Sequence, residues 1–424
     1  MKYQKTTLSN KLRVISVPMA SMESATVSVW VKAGSRLETE KTRGITHFLE
    51  HMVFKGTKNF KTAKDVAFAM DSLGAEYNAM TDKEWTSYYI KVRVGIIEKA
   101  FEILSDLTLN PLLNETDIEK EKGVIIEEMR MYKDTPMAKI GDYYENLIYK
   151  GSKLGWDIIG TEKTVNGLKR SDFVNHRNRY YYPENMLVTV SGGVSSKKVM
   201  SLSKKYFSDL EPRNKVDRKP NQTFSQRKPQ VLLKEKDAEQ THIILGFRGE
   251  ALGNKRRYEE GLLATILGVG MSSRMHIKVR EERGLAYAIR TSSDKYLDNG
   301  YMATYAGLDT KRIDEAIKVI LDQYYDLANG KYPIEDKELI KVKEYLKGNL
   351  ALSLEDTKAI NGFFAIDEMF LGKVRTPEEI FRRIDKVTKD EIKGVARDFF
   401  KPEGLNLSII GPFKDKSRFE KLVS

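Results

Sequence analysis

Two of the chain's five histidines stand four residues apart, in His47-Phe48-Leu49-Glu50-His51. On a helix, positions i and i+4 share one face a turn apart, so both imidazoles can reach a single ion. Glu50, at i+3, faces the same side and is close enough to touch a water on that ion. This is the inverted form, H-x-x-E-H, of the helical zinc-hydrolase motif. The helix itself is predicted by Ile45, Phe48, Leu49, Met52 and Val53, which fall at helical spacing.

Composition narrows the chemistry around that site. The chain has no cysteine, so thiolate ligands, disulfides and cysteine nucleophiles are excluded together, and a metal has to be held by His, Asp or Glu. A length of 424 residues with 41% hydrophobic content suits two or more domains with a sizeable core. The net charge of +12 comes from 72 basic and 60 acidic residues that are interspersed, with no nucleic-acid-binding pattern beside them, so it reads as a solvated surface. No apolar run reaches membrane-spanning length. Met1-Lys2-Tyr3-Gln4-Lys5 leads into no apolar stretch, and Leu8 to Val17 reads as a turn entering a strand, so a cytoplasmic protein without membrane or nucleic-acid partners is expected.

The elements that must position the motif follow from pattern. Residues 24–33 are β-branched and partly alternating, as in a strand, and Gly34 breaks them before the motif helix begins near Gly44. A second helix is predicted from Ala63 to Leu73. Glu76 to Thr81 and Trp85 to Val94 read as two strands around the polar turn Asp82-Lys83-Glu84, followed by a helix from Ile97 to Leu107.

The next helix, from an Asn114 cap to about Tyr132, carries the remaining carboxylates. At 100° per residue, Ile118, Ile125 and Tyr132 form a stripe flanked by Val124 and Met131. Glu121 and Glu128 fall inside this face, stacked two turns apart, while Glu127 points about 100° away from Glu128. Carboxylates aimed into an apolar face are costly unless paired or bound to a metal. Periodicity alone leaves two readings open: a further metal ligand with its supporting partner, or a helix edge with two partly solvated glutamates.

Past a charged, Pro- and Asn-containing linker at 211–230 the chain repeats itself. Tyr181-Tyr182-Pro183-Glu184-Asn185-Met186 through Gly192 matches Phe400-Lys401-Pro402-Glu403-Gly404-Leu405 through Gly411 without a gap, and Thr26 to Trp30 has a counterpart in Thr241 to Leu245. Aligning Gly44 with Gly261 places Ala264, Leu267 and Gly268 opposite His47, Glu50 and His51, so the second copy has no metal site.

With these residues in view, the chain resembles the pitrilysin family of zinc peptidases, in the short-chain branch that includes the mitochondrial processing peptidase catalytic subunit. The resemblance spans nearly the whole length, and His47-Phe48-Leu49-Glu50-His51-Met52-Val53-Phe54-Lys55-Gly56-Thr57 is its most specific element. It implies a third zinc ligand at Glu128, in Val124-Ile125-Ile126-Glu127-Glu128, 77 residues beyond His51, and an accessory glutamate at Glu121. It implies that Asn78-Ala79-Met80-Thr81 pairs with extended substrate and that Phe54 is a further substrate contact. It matches Arg280 to Tyr287 to an R-x6-Y element whose Arg and Tyr contact substrate; without the family these two read as a surface arginine and a strand aromatic.

The expectation is therefore a zinc-dependent endopeptidase with one Zn²⁺ per chain, held by His47, His51 and Glu128, and with Glu50 as general base. The implied fold class is α+β: two homologous domains, 1–215 and 229–424, each a mostly antiparallel sheet packed with helices. A dimer would close them into a clam-shell chamber, either as a homodimer or as a heterodimer with a zinc-less paralogue. The rival is a non-catalytic structural or assembly subunit of the same fold.

Overall fold

A run of strand Ser24–Val31 in which all but the first residue is buried cannot sit at a half-solvated sheet surface; both of its faces need cover. The computed structural model, which describes residues 1–213 and 224–424, shows where the cover comes from. Half of the expected linker, 214–223, lies outside the described residues.

The first sheet contains β1 (Gln4–Thr7), β2 (Arg13–Pro18), β3 (Ser24–Val31), β4 (Glu76–Thr81), β5 (Thr86–Arg93) and β6 (Met186–Gly192). Their order is β1-β2-β6-β3-β5-β4, with β2 and β6 parallel and all other neighbours antiparallel. The second sheet contains β7 (Gln230–Glu235), β8 (Gln240–Gly249), β9 (Ala286–Lys295), β10 (Gly300–Asp309) and β11 (Asn406–Gly411). Its order is β7-β11-β8-β10-β9, again with a single parallel pair, β7 and β11. From β2 and from β7 onward the two orders correspond strand for strand. The repeat read from the sequence is thus a repeat of topology, with β4 and β9 at equivalent edges.

The described chain divides into two compact units that are not the contiguous ranges 1–215 and 229–424. The first comprises Met1–Arg130, Trp156–Lys219 and Ala351–Pro377; the second comprises Met131–Gly155, Pro220–Leu350 and Glu378–Ser424. Each half of the sequence lends one helix to the other half's sheet. The physical reason is the second sheet face, which has to be covered from somewhere.

In the first unit, Ala25, Val27, Val29 and Val31 point into the main core with Tyr88, Ile90 and helix Ile97–Leu109. Thr26 and Ser28 alternate to the other face, where helix Thr357–Leu371 lies. That face is keyed by polar contacts. Asn361 Nδ2 donates to the Thr26 carbonyl at 3.0 Å, Ser28 Oγ at 2.9 Å and the Thr189 carbonyl at 3.1 Å, and Thr357 and Thr26 hydroxyls bond at 2.7 Å. Lys5 and Arg13 pair with Glu368 on the same helix. In the second unit, helix Pro136–Ile148 covers the equivalent face, where Tyr144 meets Tyr301 edge-on at 5.3 Å and Glu145 accepts from Tyr296. Burial of charge-bearing groups here is tolerable because each has a partner.

Candidate metal centre

The motif helix spans Ile45–Met52 and buries Ile45, Thr46, Phe48, Leu49 and Met52, leaving His47, Glu50 and His51 on the half-buried side. Phe48 packs edge-on against Phe173, with ring centroids 4.8 Å apart, which pins the helix to the core. Truncating a buried phenylalanine of this kind costs about 3–5 kcal/mol. The helix starts at Gly44, whose φ of 90° and close approach to the Ile159 carbonyl leave no room for a side chain.

The glutamate helix spans Glu115–Asp134, close to its predicted bounds. Ile118 and Ile125 are buried as expected, but Val124 and Met131 are 50% and 56% exposed and Tyr132 is also exposed. The apolar stripe is therefore narrower than its periodicity suggested, and the face around Glu121 and Glu128 is occupied by the motif helix's polar residues rather than by core.

His47, His51 and Glu128 each present a ligand atom, and these atoms all lie within 4.8 Å of one another. His47 Nε2 is 3.8 Å from Glu128 Oε1, and His51 Nε2 is 3.6 Å from Glu128 Oε2. Both distances are too long for hydrogen bonds. They are a few tenths of an ångström wider than the ~3.3 Å that separates ligands around a tetrahedral zinc with ~2.0–2.1 Å bonds. Glu128 Oε2 is buried without a hydrogen-bond partner, as is Nδ1 of His47. A carboxylate whose two oxygens each face an imidazole nitrogen, one of them buried without a hydrogen-bond partner, is costly in the protein alone and suits a divalent cation. The donor set fits zinc.

Two supporting contacts fix the donors. His51 Nδ1 lies 3.0 Å from Glu121 Oε1, and Lys55 Nζ reaches the other oxygen of Glu121 at 2.6 Å. A carboxylate on the far nitrogen of a ligand histidine sets its tautomer and raises its basicity. Thr81, at the end of β4, donates its hydroxyl to Glu50 Oε2 at 2.5 Å.

The electrostatics separate the two histidines. Burial, with some help from His51, pushes His47 down to about 4. Burial works on His51 in the same direction, but its bond to Glu121 and the charges of Glu128, Glu121 and Glu50 outweigh it, and the net shift is upward. Glu50 is raised, chiefly by burial and further by Glu128, against the opposing pull of Thr81 and His51. Glu121 is lowered: burial would raise it, and its bonds to His51 and Lys55 prevail. A carboxyl with raised proton affinity beside a His-His-Glu cluster suits a proton-accepting role.

The remaining sequence-derived residues are placed as follows. Strand β4 is at the sheet edge, with Glu76, Asn78 and Met80 exposed and Tyr77, Ala79 and Thr81 half-buried. Asn78 Oδ1 accepts from the backbone amide of Ala79. Phe54 is half-buried, its ring 6.2 Å from Tyr77. Arg280 and Tyr287 lie in the second unit, near one another, with the guanidinium 5.8 Å from the Tyr287 ring, and Tyr287 is 75% exposed. Arg280 lies in a π-helical turn, His276–Glu281, and donates to His276 Nε2 at 3.4 Å. Ala264 and Leu267, opposite His47 and Glu50 in the repeat, are buried core residues. Sequence reasoning missed the contacts of Thr81 with Glu50 and of Lys55 with Glu121. Both residues sit inside quoted motifs, but nothing in their spacing indicates which carboxylate they meet.

Residues 13–162 match the family profile described as insulinase (peptidase family M16), and residues 167–346 match the peptidase M16 inactive domain. The chain belongs to peptidase family M16. Relatives of this M16 chain include an uncharacterized zinc protease of Bacillus subtilis, 34% identical over 96% of this chain and 97% of that protein. Another is an uncharacterized zinc protease of Streptomyces coelicolor, 33% identical over 97% of this chain and 90% of that protein. A protease from Helicobacter pylori has a similar structure: TM-score 0.91 and 26% identity, covering 97% of this chain and 100% of that one. A chain of complex III2 from Candida albicans shares the fold, with TM-score 0.86 and 19% identity over 99% of both chains. The M16 assignment accords with the division of the chain into a half with the metal-ligand set and a half without it. Among the described residues no helix is long and apolar enough to cross a membrane.

Proposed function

We propose that this M16 protein is a zinc-dependent endopeptidase acting on peptides or leader segments bound in extended conformation. The observation that carries the reading is the convergence of His47, His51 and Glu128 within 4.8 Å, with Glu50 on the same helix face. His47, His51 and Glu128 would hold the zinc, which would supply Lewis-acid chemistry to the scissile carbonyl and to the attacking water. Glu50 accepts that water's proton, with Thr81 holding its carboxylate in place, and later passes the proton to the leaving amine. Glu121 and Lys55 hold His51 in one orientation throughout.

Substrate adds as a strand along the open edge of β4, where alternate residues of Asn78–Thr81, Ala79 among them, turn their backbone groups outward for the ladder hydrogen bonds and the Asn78 side chain lies beside the Ala79 amide. Thr81 ends that strand and touches Glu50, which supports placing the bound backbone beside the general base. Phe54, behind Tyr77, shapes the strand's inner side. Arg280 and Tyr287 anchor the peptide or stabilise the oxyanion, a use that accounts for so exposed a tyrosine. By the family resemblance, two chains close around a chamber and the Arg280–Tyr287 element serves the partner's site. Since this chain carries both elements, a homodimer is self-sufficient; pairing with a zinc-less paralogue is the other arrangement, and analytical ultracentrifugation separates these from a monomer. A purely structural subunit has no use for a complete ligand set with a general base beside it. Digestion of a quenched peptide library, with zinc content measured on the same sample, tests the reading.

A further inference from the structure

We propose that Glu38 is a positioning residue for the metal helix. Its buried carboxylate registers the start of Ile45–Met52 against the far end of strand β4, and so fixes where His47 and Glu50 stand relative to bound substrate. The inference deepens the function proposed above and rests on it.

Glu38 is 1% exposed. Its Oε2 accepts from the Gly44 amide at 2.8 Å and its Oε1 from the Thr46 amide at 2.9 Å. These are amides of the first helical turn, which have no partner within the helix. A capping side chain would ordinarily take them, but the cap position here is Gly44, which has none. A carboxylate at this end is also favoured by the helix dipole. The cap is thus supplied from a separate loop, and that loop is itself fastened. Ser35 and Arg36 amides donate to the carbonyls of Asp82 and Lys83 at 3.2 and 2.8 Å, and Arg36 pairs with Glu84 at 2.6 Å. The Glu38 amide returns to the Ser35 carbonyl at 3.1 Å. At Gly34 the loop runs so close to the Asp82 backbone that a side chain would collide with it.

Asp82 to Glu84 is the turn that directly follows β4, whose last residue, Thr81, bonds Glu50. Strand and helix are therefore tied twice: Thr81 to Glu50 in the last turn of the helix, and turn, loop and Glu38 to the helix start. Packing of Phe48 holds the apolar face, and the two tethers set the helix's distance from β4 and its rotation at both ends. Catalytic constellations need their groups held within about 0.5 Å, so loss of the second tether changes metal binding and turnover more than folding.

The test uses the full chain, native and Glu38→Gln, which keeps the side chain's volume but turns an amide NH₂ towards one of the backbone donors. Hydrogen exchange on metal-free protein should quicken for the amides of 44–48 and stay unchanged elsewhere. Zinc affinity, measured against a competing chelator, should weaken about tenfold or more, and kcat should fall with KM within about threefold, as expected for misplacement rather than lost substrate contacts. Native exchange and native zinc affinity in the variant would overturn the proposal. So would exchange that rises throughout the first unit, which would make Glu38 a general stability residue. Should Glu38→Gln fail to fold, Glu38→Asp, which shortens the side chain by one methylene and so cannot reach both amides from the same loop, decides: weaker zinc binding with local exchange supports the proposal, and unchanged values overturn it. A native protein that binds no zinc would defeat the peptidase reading, while the exchange comparison would still judge Glu38.

Discussion

The hydroxyl of Thr81 donates to Oε2 of Glu50 at 2.5 Å, joining the last residue of an edge strand to the carboxylate of the metal helix. The edge strand proposed to receive substrate and the carboxylate proposed as general base are thereby held in one register.

Replacing Thr81 with valine keeps the shape and removes the donor. Hydrogen bonds to charged groups contribute about 1.5–3 kcal/mol, so kcat is expected to fall roughly 10- to 100-fold, with zinc content unchanged. Thr81→Ser should restore most of the activity. Steady-state kinetics on one quenched peptide checks both, and a valine variant with native kcat would show that the bond is incidental.

Glu121 meets His51 on one side and Lys55 on the other. Glu121→Gln is expected to weaken zinc binding by about 10- to 100-fold, the usual effect of removing a partner behind a ligand histidine. The protein should stay folded, since only one charge changes. Chelator competition followed by circular dichroism separates the two effects.

Arg280 and Tyr287 share no residue with the metal cluster, so their loss should leave metal binding alone. For Arg280→Ala and Tyr287→Phe, a fall in kcat/KM of tenfold or more is expected, consistent with about 1.4 kcal/mol or more of lost transition-state contact. Zinc stoichiometry should remain native. Loss of zinc in either variant would contradict this assignment.

The buried His176, 3.5 Å from the Thr46 hydroxyl, sets an acid limit on stability. Burial, with a smaller contribution from Arg179, pushes its pKa down to about 3 from the usual 6.5. Between those values the unfolded chain binds a proton that the folded one refuses, so stability is present above the unfolded pKa and is lost as the pH falls. From pH 7 to pH 4.5, metal-free His176→Gln should lose about 2–3 kcal/mol less than the native protein. Urea midpoints at the two pH values measure this, and equal losses would contradict it.

Much of the metal cluster was legible because a helix repeats its geometry. The His47–His51 spacing defines one face, and a 100° wheel is enough to prefer Glu128 over Glu127. The wheel was less reliable about the surroundings: Val124 and Met131, counted as apolar flank, are exposed. Hydrophobic pattern marks a face as wide as its apolar residues, while burial depends on what packs against it. The same limit hid the exchanged helices. Thr26 and Ser28 show that the second face of β3 is polar, but only the folded chain reveals that Asn361 satisfies it from another part of the sequence. Glu38 left no local signal either, because it caps a helix from outside the helix's own boundary residues.

The most direct measurement is cleavage of a quenched peptide library by the native protein and by Glu50→Gln, with zinc determined in both. General-base catalysis typically contributes 10²–10⁴-fold. The expected result is about one zinc per chain in each protein, cleavage by the native chain, and a loss of roughly that size in the variant. Zinc-loaded native protein that cleaves nothing, or a variant as active as the native chain, would contradict the assignment of Glu50 and with it the peptidase reading.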